Sequence, residues 1–239
     1  MRTVLLLILL TLGVLFDGLL RVPEKTPVFV LGTLYKRHEA VPRYDLAALR
    51  RALSAIQPAA LVLDVTPEEL AARKVWPGKI EYPGVIFPFI DAGRYRVYAA
   101  EPDEPMFSEI VQSISAAVKA LEREQPEVSA GLDRLEDAAY GALYRSWQSP
   151  ADVNSAVTDR VMSGKQALES RLVGPVMLEG GERWNRHVLD VILQATRENR
   201  GRRVLVLVGI ENRHWFVEHL RGLPDVELVE MESWLRQNL

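Results

Sequence analysis

The apolar runs of this chain predict an α/β protein: a mostly parallel sheet flanked by helices, with a helical insertion between the third and fourth strands. Two matched runs carry most of that prediction. Pro27-Val-Phe-Val-Leu-Gly-Thr33 and Arg203-Val-Leu-Val-Leu-Val-Gly209 are short, apolar and rich in β-branched residues, and each stops at glycine before a polar stretch. Runs of this kind are strands buried on both faces of a parallel sheet. The third observation is the alternation of such runs with helical periodicities, which calls for right-handed crossovers.

The elements follow in order. Val22-Pro-Glu-Lys-Thr-Pro27 is a linker, and Val28 to Leu31 is the first strand. Over Tyr44 to Gln57, Leu46, Leu49, Leu53 and Ile56 fall on one helical face, with Asp45 near the start and Pro58 as the stop. Ala59 to Val65 is the second strand, with Asp64 near its end. Thr66-Pro67-Glu68-Glu69 then has the form of a helix start: a capping threonine, proline in the first turn, and a glutamate three residues after the cap. Trp76 to Asp91 holds Pro77, Gly78, Pro83, Gly84 and Pro88, which predicts an irregular loop. Arg94 to Ala99 is the third strand, ending at Ala100-Glu101-Pro102.

A helical block follows from about Pro105 to Leu172. Its first helix carries the stripe Ile110, Ile114, Val118 and Leu121, its second runs from Val128 to Trp147, and its third from Asp152 to Leu168. Glu182 to Asn199 is a further helix with Trp184, Val188 and Ala195 inward. Val204 to Val208 is the fourth strand, Arg213 to Arg221 a short helix, Val226 to Val229 the last strand and Ser233 to Asn238 the last helix. Residues 23–239 are read as a single domain with its insertion over about 103–172.

The N-terminus reads as a targeting segment. Val4 to Phe16 is apolar apart from Thr11 and Gly13 and follows the basic residue Arg2. Its length suits a signal peptide over residues 1–22, while Leu19 and Leu20 would extend it into an uncleaved membrane anchor. Either way the expected location is extracytoplasmic: secreted, periplasmic or membrane-anchored. The chain has no cysteine, which excludes disulfides, thiolate metal sites and Cys nucleophiles. A net charge of -3 with no basic block argues against nucleic acid as a partner. The expected partner is a small-molecule or peptide substrate.

In open α/β sheets, ligands bind at the carboxyl ends of the strands. The candidate catalytic residues therefore follow strand ends: His38 and Glu39 after the first, Asp64 closing the second, Glu101 after the third, and Glu211 and His214 after the fourth. Histidine is the usual neutral-pH base and metal ligand, and a carboxylate can orient water or a cation. Gly32, Thr33, Tyr35, Arg183, Asn185 and Asn212 are the candidate substrate-binding residues; Gly32-Thr33 would hold an anion through backbone amides, and Arg183 would clamp a carboxylate or phosphate. Each has a plainer alternative as loop, cap or surface residue. No Gly-x-Gly-x-x-Gly, P-loop, Gly-x-Ser-x-Gly or His-Glu-x-x-His motif is present.

The first strand with its Gly32-Thr33, the Ala-Leu helix and Leu61-Val-Leu-Asp64 together resemble the opening of the TraB, Tiki and erythromycin-esterase-like superfamily. Glu182-Arg183-x-Asn185, followed by the strand ending Val208-Gly209, resembles its closing half. The likeness covers about residues 27–70 and 180–232. It implies an extracytoplasmic protein with a hydrolase-type cleft, in many members dependent on a divalent metal. In the family both strands end Gly-x-x-His; here the fourth positions are Tyr35 and Asn212. Asp64 stands near the family's glutamate, and Arg183 matches its arginine. Two functions follow as expectations: a hydrolase with a rebuilt site using His38 or His214, or a degenerate binding or scaffold protein of the cell envelope.

Overall fold

Side chains alternate across a strand, and the strands of this chain exploit it by placing leucine on one side and valine on the other. The computed structural model describes residues 24–239, and the expected targeting segment lies outside the described residues. Strands β1 (Thr26–Thr33), β2 (Ala60–Leu63), β3 (Arg96–Ala99), β4 (Val204–Gly209) and β5 (Val226–Leu228) form one parallel sheet of order β3-β2-β4-β1-β5.

Phe29, Leu31, Leu61, Leu63, Leu205 and Leu207 face one layer. That layer is built from α1 (Leu46–Ile56), a π-helical turn over Tyr82–Ile86 running into α3 (Phe87–Asp91), and two short helices, α6 (Pro150–Val153) and α10 (Met231–Asn238). Val28, Val30, Val62, Val204, Val206 and Val208 face the opposite layer. There Val188, Ile192 and Ala195 of α8 (Pro175–Glu198) meet Trp215, Phe216 and Leu220 of α9 (Ile210–Leu220). The predicted α/β architecture is thus present, with helices on both faces of the sheet.

The start of α2 (Pro67–Ala72) is read correctly from its residues. Thr66 Oγ1 accepts from the Glu69 amide at 3.1 Å, and Glu69 Oε2 accepts from the Thr66 amide at 3.1 Å. Between β3 and β4 lie α4 (Met106–Glu124), α5 (Pro126–Ser146), α6, α7 (Ala156–Val173) and α8. Of the predicted stripe, Ile110 and Leu121 are buried and Ile114 is half-buried, but Val118 is exposed. The expected third helix is broken at Asn154-Ser155, where Ser155 caps α7 through the Thr158 amide.

Three boundaries differ from the sequence reading for physical reasons. The Pro/Gly-rich stretch expected to be irregular contains the π turn and α3, because Pro83 and Pro88 fall in first turns, where no amide hydrogen bond is lost. Helix α8 starts seven residues earlier than expected and runs through Gly180-Gly181. A Cβ on Gly180 would lie 2.9 Å from Ile114 Cδ1, so glycine there permits the close approach of α4. Helix α9 begins at Ile210, directly on the end of β4, so Glu211 and Asn212 occupy its first turn rather than a loop.

Candidate functional site at the carboxyl rim of the sheet

Parallel register sets Thr33 beside Gly209 and Leu63 beside Leu207, so the ends of β1, β2 and β4 open on the same rim. Asp64 is the centre of that rim. It leaves β2 among apolar neighbours and is 6% exposed. A carboxylate there needs donors, because burying it alone costs several kcal/mol, of order ~5. The fold supplies three: the Tyr35 hydroxyl donates to Oδ2 at 2.7 Å, the Gly209 amide donates to the same oxygen at 3.1 Å, and the Tyr82 hydroxyl donates to Oδ1. The Gly209 amide belongs to the N-terminus of α9, whose dipole favours an anion.

Glu101 is held next to Asp64 because its amide continues the sheet, donating to the Val65 carbonyl at 3.0 Å. Between the two acids sits Lys79. Its ammonium donates to the Asp64 main-chain carbonyl and, at 2.7 Å, to Glu101 Oε1. Burial alone would lower the Lys79 pKa; Asp64 and Glu101 outweigh it and raise it, so the ammonium stays charged. The Glu101 carboxyl is raised, by burial first, with Lys79 opposing and Asp64 adding. Burial against Asp64 also drives both tyrosine hydroxyls upward, so Tyr35 and Tyr82 remain protonated donors. Deeper in, Glu81 is fully buried and neither carboxyl oxygen has a hydrogen-bond partner. The Thr33 hydroxyl beside it points instead at the Val208 carbonyl, 3.3 Å away. Burial, with Asp64 adding, lifts Glu81 to about 8.

These groups border a pocket of about 150 Å³ lined by Tyr35, Asp64, Glu101, Gly209 and Asn212, with apolar walls from Trp184, Val188, Val208 and Phe216. Of the residues selected from sequence, it brings together Tyr35, Asp64, Glu101 and Asn212. The other selected residues lie elsewhere.

His38 sits in a 3-10 turn over Tyr35–Ala40 and is 2% exposed. Its Nε2 accepts from the Leu34 amide at 3.2 Å and its Nδ1 lies 2.6 Å from the Tyr44 carbonyl, so both ring nitrogens tie the turn together. Neither is free to serve as a base, and burial lowers its pKa. Glu39 is exposed on the same turn and borders no part of the pocket. Gly32 uses its amide on Asn154 Oδ1 at 2.7 Å, and its carbonyl accepts from the Tyr44 hydroxyl at 2.9 Å, which leaves nothing for an anion. Thr33 is buried. Arg183 projects from α8 to pair with Glu109 at 2.8 Å and is half exposed. The next two residues, Trp184 and Asn185, take the inward face that Arg183 was expected to share.

His214 and Glu211 face a second cleft between α7, α8 and α9. His214 Nε2 lies 2.9 Å from Gln166 Oε1, and Gln166 Nε2 donates to Asn212 Oδ1 at 2.9 Å. Glu211 Oε1 accepts from the Tyr140 hydroxyl at 2.5 Å, and Glu211 Oε2 lies 3.6 Å from the Lys165 ammonium. Lys79, Glu81, Tyr82 and Gln166 were not singled out from sequence. The first three fall in the stretch read as irregular, where only the closely spaced Lys79, Glu81 and Tyr82 in an aromatic-rich segment hinted at an inward-facing polar group.

The divalent metal implied by the family resemblance does not fit this rim. Asp64 accepts from three protein donors, a lysine ammonium stands between the two carboxylates, and the positions where the resemblance expects histidine hold a protonated tyrosine and an amide. Among the described residues no group of three or more His, Asp or Glu is arranged to hold a metal ion. Comparison with protein-family models, curated proteins and solved structures finds no match to the chain.

Proposed function

We propose that this chain is an extracytoplasmic, Tiki/TraB-like binding protein whose rim pocket takes a small polar ligand, or the polar end of a larger one, without a metal. The engagement of Asp64 carries the reading. Tyr35, Tyr82 and the Gly209 amide already occupy three of its acceptor positions, and Lys79 supplies the positive charge that a metal would bring. Metal response tests it. The thermal midpoint of the chain is expected to be the same with Mn²⁺, Zn²⁺ or EDTA. A metal-induced rise that disappears in Asp64→Asn overturns the proposal.

One observation favours a second reading, metal-free hydrolysis. Glu101 borders the pocket, titrates above the ordinary carboxylate range and has a cation at its side, which are the properties of a general base near neutral pH. Screening of ester and amide substrates decides between the two: turnover that is lost in Glu101→Gln while the fold is retained supports hydrolysis. Location outside the cytoplasm rests on the apolar run Val4 to Phe16. An alkaline phosphatase fused after Arg21 should be active only if that segment exports it. Among the described residues no helix is long and apolar enough to cross a membrane.

A further inference from the structure

We infer that the cleft between α7, α8 and α9 is a binding site for an aliphatic ammonium ligand that carries a neutral amide end. This goes beyond the rim pocket, which it touches at Asn212, and it rests on other residues.

The cleft has a volume of about 430 Å³. Four carboxylates line it, Glu169, Glu182, Glu211 and Glu218, and no lysine or arginine does. The nearest compensating charge is the Lys165 ammonium beneath it, 3% exposed. That single cation is shared by Glu169 at 2.8 Å, Glu211 at 3.6 Å and Glu136 at 3.8 Å. Glu182 accepts from the neutral Trp215 indole N–H at 2.9 Å and pairs with Arg186 at 3.2 Å, but Arg186 is 69% exposed and screened by water. The lining therefore keeps an excess of negative charge that a ligand ammonium offsets. Burial raises the Glu169 carboxyl even though Lys165 opposes it, and Glu211 and Glu136 add smaller contributions in the same direction.

Asn185 is the second and independent observation. The residue is 6% exposed and lines the cleft, and its carboxamide makes no side-chain hydrogen bond among the described residues, so its polar atoms are open to the cleft. A carboxamide both donates and accepts, so the group that satisfies it best does the same, as a second amide does. Its neighbour Asn212 is already engaged by Gln166. The lining also carries apolar surface. Met177 and Leu178 supply aliphatic surface, and Trp215 stacks on His219 with ring centroids 3.6 Å apart and planes 12° from parallel. A methylene chain fits such a wall, and a cation near an indole face gains further attraction.

The test uses 6-aminohexanamide as the probe, titrated by calorimetry into the full chain at pH 7. Three analogues each lack one feature: hexanamide lacks the ammonium, hexylamine lacks the amide, and adipamic acid carries a carboxylate in place of the ammonium. The probe is expected to bind at least about tenfold more tightly than hexanamide, while adipamic acid shows no binding up to about 10 mM. Glu218, exposed on α9, is changed to Gln without risk to the core, and E218Q should weaken the probe about threefold. In Asn185→Leu the probe should lose its advantage over hexylamine. Should that variant not fold, the analogue series and E218Q decide. The inference is overturned if the probe fails to bind up to about 10 mM, if hexanamide or adipamic acid binds as tightly, or if E218Q leaves the affinity unchanged. None of these results bears on the metal response of the rim.

Discussion

Glu81 gives the sharpest quantitative consequence of the rim's construction. Its carboxyl is fully buried without a hydrogen-bond partner, and burial with Asp64 nearby lifts its pKa from an ordinary 4.5 to about 8. In the unfolded chain the proton leaves near pH 4.5; in the folded chain it stays until about pH 8. Below the lower value both states are protonated and the group is neutral with respect to stability. Between the two values the folded state binds more protons than the unfolded state, so stability falls as pH rises, by about 1.4 kcal/mol per unit at the steepest. From pH 5 to pH 7 the loss from this one carboxyl is about 2.5 kcal/mol. Glu81→Gln keeps the shape and removes the titration. Urea denaturation of both chains at pH 5, 6 and 7 should show the variant gaining about 2.5 kcal/mol relative to wild type across that range, with the effects of all other groups common to both. A difference between the two chains that stays constant within about 0.5 kcal/mol would mean that Glu81 is solvated or paired, and the account of a dry rim would fail.

Other substitutions report on neighbouring parts of the same construction. In Gly209→Ala the new Cβ would lie 2.4 Å from the Tyr35 hydroxyl, so Tyr35 must leave Asp64; a loss of about 1–3 kcal/mol is expected, and it should shrink when Tyr35 is also Ala. His38→Ala should cost about 2–4 kcal/mol in chemical denaturation and Glu39→Ala less than about 0.5, although the two residues adjoin in sequence. Because burial lowers the His38 pKa, the unfolded chain takes up the proton first as pH falls below 6.5, so wild type loses stability there and His38→Gln loses less. Thr66→Ala removes the side-chain half of the capping box, the bond from the Glu69 amide, and should cost about 1 kcal/mol, measured by the same denaturation.

The centre of the sheet was legible because β1, β2 and β4 are apolar runs buried on both faces, which leaves little room for polar residues. Asp64 was legible for the same reason: it is a carboxylate at the end of a run that otherwise admits none. The His38 prediction rested on residue type and distance from a strand end. Whether a histidine is free depends on where the backbone turns, and here the chain folds back so that Leu34 and Tyr44 consume both nitrogens. Arg183 failed by one position. A helix advances about 100° per residue, so with Asn185 and Trp184 inward, Arg183 points to solvent. Lys79, Glu81 and Tyr82 were hidden by Pro77, Gly78, Pro83 and Gly84, which signal a break in regular structure without revealing that the broken segment folds inward over the rim.

That inward segment explains why the expected metal chemistry does not fit the rim. The rim's acids come from β2 and β3, its backbone donor from the start of α9, and its position beside Tyr35 from β1; these are set by sheet register and cannot move independently. The residues around Tyr82 are not in the sheet. They contribute Lys79 as a fixed cation, Tyr82 as a donor to Asp64 and Glu81 as a neutral acid behind it. Lys79 stands as the cation among these acids, and the α9 N-terminus adds its dipole beside Asp64. A divalent cation brought to the same place would have to displace Lys79 from Glu101 and two tyrosine hydroxyls from Asp64. The loss of several charge-assisted hydrogen bonds, at about 1.5–3 kcal/mol each, opposes that exchange, so the identity of residue 79 bears directly on metal affinity.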